Sequence, residues 1–349
     1  MLKKKERLAE VSAAKENLKR KFSLNRILGE STVVQEIRRQ IQCISECDAS
    51  VLITGESGSG KEPAARGIHY LSPRSGKPFV PVNCGAIPET LFENELFGHI
   101  KGAFTDAGYS QSGLVKEAEG GTIFLDEVGV ISPYIQVKLL RLLQDREYKP
   151  LGDSRYRSAE VRVVAATNED LSGLVKSGTF REDLYYRLNI VSLHIPPLRE
   201  RKEDIPILAY HFIEKYARRF GKSVKTVSPE AMECLLSYEW PGNIRELENK
   251  IQQAIVLTSG KELSARDFRF SKNGAENGAK PYTDSFESFK QAKKKMVFSF
   301  EKDYLVNLLT KHNGDVVTAA ASAGKSRTAL WNLLSRHHLH PRQFSGNPS

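Results

Sequence analysis

A glycine-rich stretch ending in a lysine lies near the start of the chain, between an apolar segment and a helical pattern. Residues 51–54 are Val-Leu-Ile-Thr, and residues 55–62 are Gly-Glu-Ser-Gly-Ser-Gly-Lys-Glu. Glycines allow the backbone to curl so that successive N–H groups face a phosphate, and the helix that follows adds its positive end. The spacing predicts a nucleotide-binding P-loop formed by Gly55, Glu56, Ser57, Gly58, Ser59, Gly60, Lys61 and Glu62.

Two further apolar segments end in polar side chains that suit ATP hydrolysis. Residues 122–127 are Thr-Ile-Phe-Leu-Asp-Glu, and residues 161–168 are Val-Arg-Val-Val-Ala-Ala-Thr-Asn. Hydrolysis needs a carboxylate directed at Mg²⁺ and a second group that polarises the attacking water, and Asp126 and Glu127 suit these roles in that order. Thr167 and Asn168 would sense the terminal phosphate or the water if their strand lies beside the P-loop, and would otherwise form a turn.

Alternating helix and strand patterns are expected to position these residues. The predicted strands are residues 50–54, 79–83, 122–126, 161–167 and 190–194. This alternation is typical of an α/β fold with a parallel sheet covered on both faces, which binds ligands at the carboxyl ends of its strands. Farther along, only helices are predicted, at residues 204–220, 228–238 and 243–259, the first two capped by Asp204 and Ser228.

Positive charge is concentrated at the two ends of the chain. The 349 residues carry 52 Lys and Arg against 42 Asp and Glu, a formal charge of +10. Residues 1–21 hold eight basic and three acidic residues, and residues 271–349 hold twelve and six. Basic ends on a near-neutral middle indicate a polyanion partner. The absence of a signal peptide and of an apolar run near the ~20 residues of a membrane span predicts a cytoplasmic protein with no membrane partner.

The C-terminal segment has the outline of a helix-turn-helix. Helices are predicted at residues 300–311, 316–323 and 326–338, with a turn at Gly324. A helical packing module would have the same outline, but the positive charge favours DNA binding. Leu330 and Leu334 are predicted core residues, and packing is also favoured for Trp331. In the DNA-binding motif the last helix enters the major groove, and its candidate contacts are Ser326, Arg327, Thr328, Trp331, Asn332 and Arg336.

Six motifs resemble, in unbroken order, those of the sigma-54-dependent transcriptional activators, which are bacterial enhancer-binding proteins with an AAA+ ATPase. They are the P-loop at 55–62, Leu-Phe-Gly-His-Ile-Lys-Gly-Ala-Phe-Thr-Asp-Ala at 96–107, Gly-Gly-Thr-Ile-Phe-Leu-Asp-Glu at 120–127, Ala-Thr-Asn at 166–168, Phe-Arg-Glu-Asp-Leu-Tyr-Tyr-Arg at 180–187 and Trp-Pro-Gly-Asn-Ile-Arg-Glu-Leu at 240–247. The resemblance covers residues 25–265, and the C-terminal helices resemble the Fis-type DNA-binding domain of this family.

The resemblance implies a domain order. We expect an AAA+ P-loop ATPase subdomain at residues 22–194, an all-α lid subdomain at 195–270, a flexible linker at 271–285 and a Fis-type helix-turn-helix domain at 286–349. Residues 1–21 have apolar spacing that fits an N-terminal linker helix, and a solvated, frayed terminus is the alternative.

The resemblance also implies roles for residues at matching positions. Lys61 would bind phosphate, Asp126 would serve Mg²⁺, and Glu127 would activate water under the restraint of Asn83. This family carries Glu after the P-loop lysine, so Glu62 belongs to the pattern even though Ser or Thr is usual there in other P-loops.

Three arginines outside the P-loop match family positions that contact or sense the bound nucleotide. Arg181 and Arg187 match arginines that reach the ATP of a neighbouring subunit, which implies a ring, and in this family a homohexamer; a surface ion pair is the alternative for Arg181. Arg245 matches the sensor arginine that couples the nucleotide state to the angle of the lid.

A loop that grips the sigma-54 factor in this family is matched here with one departure. The matching residues are Gly102, Ala103, Phe104, Thr105, Asp106 and Ala107. Asp106 stands where the family has Gly, which adds a negative charge and reduces backbone freedom. Phe104 and Thr105 are unchanged and are the expected contacts.

The implied function is that of an ATP-hydrolysing, enhancer-binding activator that remodels the closed sigma-54 RNA polymerase complex to the open one. Its cofactors would be ATP and Mg²⁺, and its partners the sigma-54 factor, RNA polymerase and enhancer DNA. The alternative is a DNA-binding regulator whose ATPase controls assembly only, without sigma-54 contact. No sensory pattern is found in the chain, so regulation is expected either from a separate protein such as a sensor kinase or from a receiver domain upstream, as in a two-component regulatory system.

Overall fold

A computed structural model describes residues 28–105, 107–258 and 260–268, together with residues 298, 301, 304–306, 308–337 and 339–344. The chain divides into two compact units, Met1–Phe270 and Ser271–Ser349. The predicted N-terminal helix, the linker at 271–285, Asp106 and part of the helix predicted at 300–311 lie outside the described residues.

A five-stranded parallel sheet forms the centre of the first unit. Its strands are β1 (Val51–Thr54), β2 (Phe79–Asn83), β3 (Thr122–Asp126), β4 (Arg162–Thr167) and β5 (Val191–His194), in the spatial order β2-β3-β4-β1-β5. All five predicted strands are confirmed to within one residue. Every residue of β4 is buried, as expected of a central strand covered on both faces.

Helices cover the two faces of the sheet and bury its alternating side chains. The helices are α1 (Thr32–Ser45), α2 (Lys61–Leu71), α3 (Glu89–Phe97), α4 (Leu114–Glu117), α5 (Pro133–Asp145), α6 (Leu171–Lys176) and α7 (Glu182–Leu188). On β3, Ile123 and Leu125 join the core cluster of one face, and Phe124 joins that of the other. This two-residue period fixes the register of the sheet and therefore the positions of its polar ends.

Three helices form the lid that follows β5, namely α8 (Ile205–Phe220), α9 (Pro229–Ser237) and α10 (Asn243–Leu257). They pack around Trp240, which is fully buried and donates its indole N–H to the Leu235 carbonyl at 2.8 Å. The prediction of helices alone is wrong in one detail, because Thr226–Val227 pairs with Glu262–Leu263 as two short parallel strands.

The two predicted helix caps of the lid have different outcomes. The Ser228 side chain accepts from the Ala231 N–H, as a cap does. The Asp204 side chain caps nothing: its carboxylate instead accepts from the N–H groups of Glu30 and Ser31 and from the Ser31 hydroxyl, at 2.7 to 2.8 Å. Asp204 therefore ties the segment before α1 to the lid.

The second unit contains helical residues 304–306 and 308–311, followed by α11 (Val316–Ser322) and α12 (Arg327–Arg336). Leu330 and Leu334 are buried against α11, as predicted, and the Ser326 side chain caps α12. Trp331 is 42% exposed, so the prediction that it packs is wrong. In the part of the chain that the structure describes, no helix is both long and apolar enough to span a bilayer.

Candidate nucleotide site and sigma-54 loop

The P-loop leaves β1 and leads into α2 with a backbone that favours glycine. Gly55, Gly58 and Gly60 have φ angles of +153°, +73° and +111°. No described residue accepts a hydrogen bond from the N–H groups of Gly58, Gly60 and Lys61. Such N–H groups at the start of a helix form a cradle for phosphate.

Lys61 and Asp126 place opposite charges beside this cradle. Lys61 Nζ donates to the carbonyl oxygens of Gly55 at 2.8 Å and Glu56 at 3.0 Å. Burial lowers the pKa of Lys61, and the Asp126 carboxylate opposes that shift. Burial likewise raises the pKa of Asp126, and Lys61 opposes it. The two groups therefore stabilise each other's charged forms at the end of the sheet.

The carboxylates beside the cradle suit a Mg²⁺ ion that is bound jointly by protein and nucleotide, rather than a metal ion bound by protein ligands alone. Within the described ranges, no group of three or more His, Cys, Asp or Glu residues could hold a metal ion. Mg²⁺ is commonly held by one or two carboxylates together with substrate phosphates and water. Asp126 fits that pattern. Glu62, on the first turn of α2, is instead paired with Arg66 at 2.7 Å.

Asn83 and Glu127 meet at the ends of neighbouring strands. Asn83 and Asp126 are register partners of β2 and β3, and Glu127 follows with a left-handed φ of +58°. The Asn83 side-chain oxygen accepts from the N–H groups of Gly85 at 2.9 Å and Ala86 at 3.0 Å. A methyl group added at Gly85 would lie 2.4 Å from Glu127 Oε2, so the Glu127 carboxylate rests on the turn that Asn83 organises.

Thr167 and Asn168 lie at the same edge of the sheet but in different environments. Thr167 is the register partner of Thr54, and its carbonyl accepts from the Gly55 N–H at 3.3 Å. Its buried hydroxyl accepts from the Glu169 N–H at 3.0 Å, which is the turn interaction that the sequence left open. The Asn168 side chain is exposed.

The lid contacts the P-loop directly. Arg245 donates to the Ser57 hydroxyl at 3.0 Å, and the Ile244 N–H donates to the Gly58 carbonyl at 3.0 Å. The sensor arginine suggested by the sequence is therefore brought to the P-loop. Sequence reasoning missed two further contacts, from Arg199 and Asn243 to the Glu56 carboxylate.

A cavity of about 240 Å³ adjoins the P-loop between the segment before α1, the start of α2 and the lid. Its lining is mainly apolar, with Leu28, Ile37, Ile195 and Ile244 among the contributing residues. It also contains two buried polar atoms without a partner among the described residues, Ser59 Oγ and Arg201 Nε. No sequence signal marked this cavity, because its walls come from segments far apart in the chain.

The two candidate trans arginines lie at the two ends of α7. Arg181 precedes α7 and forms a bidentate pair with Asp183 at 2.7 and 3.0 Å, which is the alternative noted from the sequence. Arg187 is exposed in the last turn of α7. No hydrogen bond or ion pair among the described residues joins either arginine to the P-loop.

The loop at 102–107 projects from a short antiparallel stem, Gly98–His99 paired with Gln111–Ser112. The Gly102 N–H donates to the Ala107 carbonyl at 2.8 Å, which closes the loop. Phe104 is 45% exposed, and its ring contacts His99 with centroids 5.1 Å apart. Ala103 packs against Gly152, where an added methyl group would lie 2.8 Å from the Ala103 Cβ. An aromatic side chain is thus presented to solvent by a well-supported loop.

In the second unit, the side chains proposed to contact DNA are all exposed. Ser326, Arg327, Thr328, Trp331, Asn332 and Arg336 lie on or beside α12 with their side chains accessible to solvent.

Comparisons with known proteins agree with this arrangement. The sigma-54 interaction domain matches residues 27–194, and an AAA+ ATPase lid domain matches residues 199–284. The transcriptional regulatory protein GlrR of Escherichia coli (strain K12) is 46% identical over 91% of this chain and 69% of its own length. ZraR of Salmonella typhimurium (strain LT2) is 44% identical over 89% and 68%. The crystal structure of NtrX from Brucella abortus in complex with ATP has a TM-score of 0.70 and 31% identity, covering 95% of this chain and 75% of that one.

The fold and the site define an AAA+ P-loop ATPase with a helical lid. More narrowly, the chain belongs to the sigma-54-dependent transcriptional activators, whose AAA+ domain hydrolyses ATP to activate sigma-54 transcription.

Proposed function

We propose that this chain hydrolyses ATP beneath its lid and uses that cycle to drive the loop at 102–107 against the sigma-54 factor of a closed RNA polymerase–promoter complex. The observation that carries the proposal is the exposed Phe104, which a short stem presents to solvent. An aromatic side chain with 45% exposure contributes little to its own core and is suited to a partner surface.

The nucleotide would occupy the cradle and the adjoining cavity. The N–H groups of Gly58, Gly60 and Lys61 would bind its phosphates, with the Lys61 ammonium moving from its carbonyl acceptors to phosphate oxygens. The apolar cavity beside the loop would take the adenine base, and the buried Ser59 hydroxyl could hydrogen-bond to it or to the sugar.

Hydrolysis requires an activated water next to the outer phosphate. Asp126 would hold Mg²⁺, which neutralises the charge that develops on the phosphate oxygens. Glu127 would accept a proton from the attacking water. Asn83 organises the turn beneath that carboxylate and would restrain it until the nucleotide is in place. Thr167 and Asn168, at the end of β4, would complete this side of the site.

Arg181 and Arg187 would act on the ATP of a neighbouring subunit. Both are exposed, Arg181 just before α7 and Arg187 in its last turn. A guanidinium remains charged and can fork onto phosphate oxygens. Arg181 would first have to leave Asp183, and an exposed ion pair of this kind stabilises the chain little. Sites shared between subunits imply a closed ring, for which we propose a homohexamer.

The second unit would bring this ATPase to DNA. The exposed side chains of α12 and the excess of basic residues in 271–349 support a helix-turn-helix at residues 286–349 that binds enhancer DNA. We further propose a cytoplasmic protein with AAA+ subdomains at 22–194 and 195–270, controlled by a receiver domain or a sensor kinase of a two-component system.

Transcription from a sigma-54-dependent promoter tests this function. The chain should support transcription with ATP and fail with a non-hydrolysable analogue. If transcription is equal with both nucleotides, or if the chain only represses, the ATPase would serve assembly alone.

A further inference from the structure

Three consecutive carbonyl groups of the P-loop accept hydrogen bonds from the lid. The Ser57 carbonyl accepts from Asn243 Nδ2 at 3.0 Å, that of Gly58 from the Ile244 N–H at 3.0 Å, and that of Ser59 from Arg201 at 2.6 Å. In a trans peptide the C=O and the following N–H point in opposite directions. Holding the Ser57 and Ser59 carbonyls therefore turns the N–H groups of Gly58 and Gly60 away from the lid contacts, into the phosphate cradle.

The Glu56 carboxylate anchors the same loop at its start. Arg199 donates to it with two guanidinium nitrogens at 2.6 and 2.8 Å, and Asn243 Nδ2 donates to it at 3.0 Å. The hydrogen bonds from Arg199 and then Asn243 lower the pKa of Glu56 to about 2. The carboxylate therefore stays ionised at neutral pH and keeps both donors.

Asn243 links these contacts to the first residues of the lid. It is fully buried, and its side-chain oxygen accepts from the Leu198 N–H at 2.7 Å while its Nδ2 serves Glu56 and Ser57. Its backbone has a positive φ of +53°, a conformation that Asn tolerates better than most residues.

The lid also approaches the loop too closely for a side chain at one position. A methyl group added at Gly58 would lie 2.5 Å from the Gly242 carbonyl oxygen and 2.9 Å from the Arg245 Cβ. The P-loop and the lid are therefore in backbone contact, so that if one of them moves, the other must move with it.

We propose that Arg199 and Asn243, acting through Glu56, are positioning residues that hold the P-loop in the shape that binds the phosphates of the nucleotide. This inference rests on the proposed ATPase function and adds that the lid sets phosphate affinity from outside the cradle. Neither residue touches the cradle N–H groups. Their loss should weaken nucleotide binding and leave the chemistry at Asp126 and Glu127 largely intact.

The test uses the full chain with Arg199→Gln, Glu56→Gln and the double variant. The Arg199 and Glu56 side chains are 35% and 40% exposed, so both substitutions should fold. The control is Arg218→Gln, which removes the exposed Arg218–Glu214 pair of α8. ADP affinity is measured by calorimetry, and the ATPase KM and kcat by steady-state kinetics.

We expect each single variant to raise the Kd for ADP and the KM for ATP by about fivefold or more, with kcat within about twofold, as for loss of charge-assisted hydrogen bonds. Because the Arg199 and Glu56 side chains act as one unit, the Kd of the double variant for ADP should not exceed the larger of the two single-variant Kd values. Arg199→Lys, which keeps the charge but not the fork, should fall between wild type and Arg199→Gln.

Three results would overturn the inference. In the first, Arg199→Gln and Glu56→Gln have the same Kd for ADP and KM for ATP as Arg218→Gln. In the second, they lower the melting temperature but leave Kd and KM unchanged. In the third, the fold-increases of the two single variants in Kd multiply in the double variant. Failure of the proposed function would look different, since the wild-type chain itself would then show no ATPase activity in the same assay.

Discussion

Asn83 and Asp126 are register partners at the carboxyl ends of β2 and β3, and this pairing brings the turn after Asn83 beneath the Glu127 carboxylate. A residue more than 40 positions earlier in the chain thereby supports the group proposed to activate water. The orientation of Glu127 should therefore be sensitive to small changes in that turn.

A methyl group at Gly85 should displace the Glu127 carboxylate. Gly85→Ala places a carbon 2.4 Å from Glu127 Oε2, so the side chain must move. We expect kcat to fall at least about tenfold with a small change in KM, because proton acceptance by a positioned base commonly contributes 10²–10⁴. Gly108→Ala, where an added methyl group has no neighbour within 4 Å, is the control. Equal kcat values for the two variants would contradict the position assigned to Glu127.

Lys61→Ala and Asp126→Ala should each abolish ATP hydrolysis. The first removes the cation that neutralises phosphate charge, and the second removes the proposed Mg²⁺ ligand. Lys116→Ala, which removes an exposed ion pair with Glu119, should retain wild-type turnover. Near-normal turnover in either site variant would show that the nucleotide site is assigned wrongly.

Much of this site could be predicted because its chemistry lies in short motifs. The P-loop directly follows β1, and Asp126 and Glu127 are adjacent residues at the end of β3. Apolar runs predict the strands themselves. The contacts of Glu56 could not be predicted, since Arg199 and Asn243 lie 143 and 187 residues away. The sequence predicts a helix cap at Asp204 because its actual partners, Glu30 and Ser31, are 174 and 173 residues away.

Exposure was also beyond sequence reasoning in several places. The sequence favours packing for Trp331, but its side chain is exposed on α12, since Leu330 and Leu334 already fill the core beneath that helix. Cys43 and Cys47 are also exposed, on and just after α1, although cysteine is among the residue types most often buried. Apolar character predicts burial only on average, and the face of the helix decides each case.

Arg181 and Arg187 should complement a P-loop defect in a neighbouring subunit. Lys61→Ala and Arg187→Ala should each lack ATPase activity alone. When the two are mixed and allowed to assemble, some interfaces combine an intact Lys61 with an intact Arg187, and activity should reappear. The same mixture with Arg181→Ala tests the second arginine. A mixture no more active than its components would contradict a site shared between subunits.

Buried His69 should make the stability of the first unit depend on pH. It is fully buried and bonded to the Thr122 hydroxyl at 2.8 Å, and burial lowers its pKa from 6.5 to about 4. Because the unfolded chain binds this proton more readily, the stabilising contribution is complete above about pH 6.5 and is lost as the pH falls towards 4. Urea unfolding at pH 7 and pH 5 should show a loss of at most about 1.4 kcal/mol per pH unit from this group.

The His69→Gln variant should lose that part of the pH dependence, whereas His340→Gln, at an exposed position, should keep the wild-type slope. Identical slopes in all three proteins would mean that His69 does not carry the effect.

The most direct test of the account is open-complex formation by Phe104→Ala on a sigma-54-dependent promoter. The matched control is Tyr210→Ala, because Tyr210 is also 45% exposed but lies on α8 of the lid. We predict that Phe104→Ala retains the wild-type ATPase rate and loses open-complex formation, while Tyr210→Ala retains both. Undiminished open-complex formation by Phe104→Ala would contradict the claim that this loop transmits ATP hydrolysis to the sigma-54 factor.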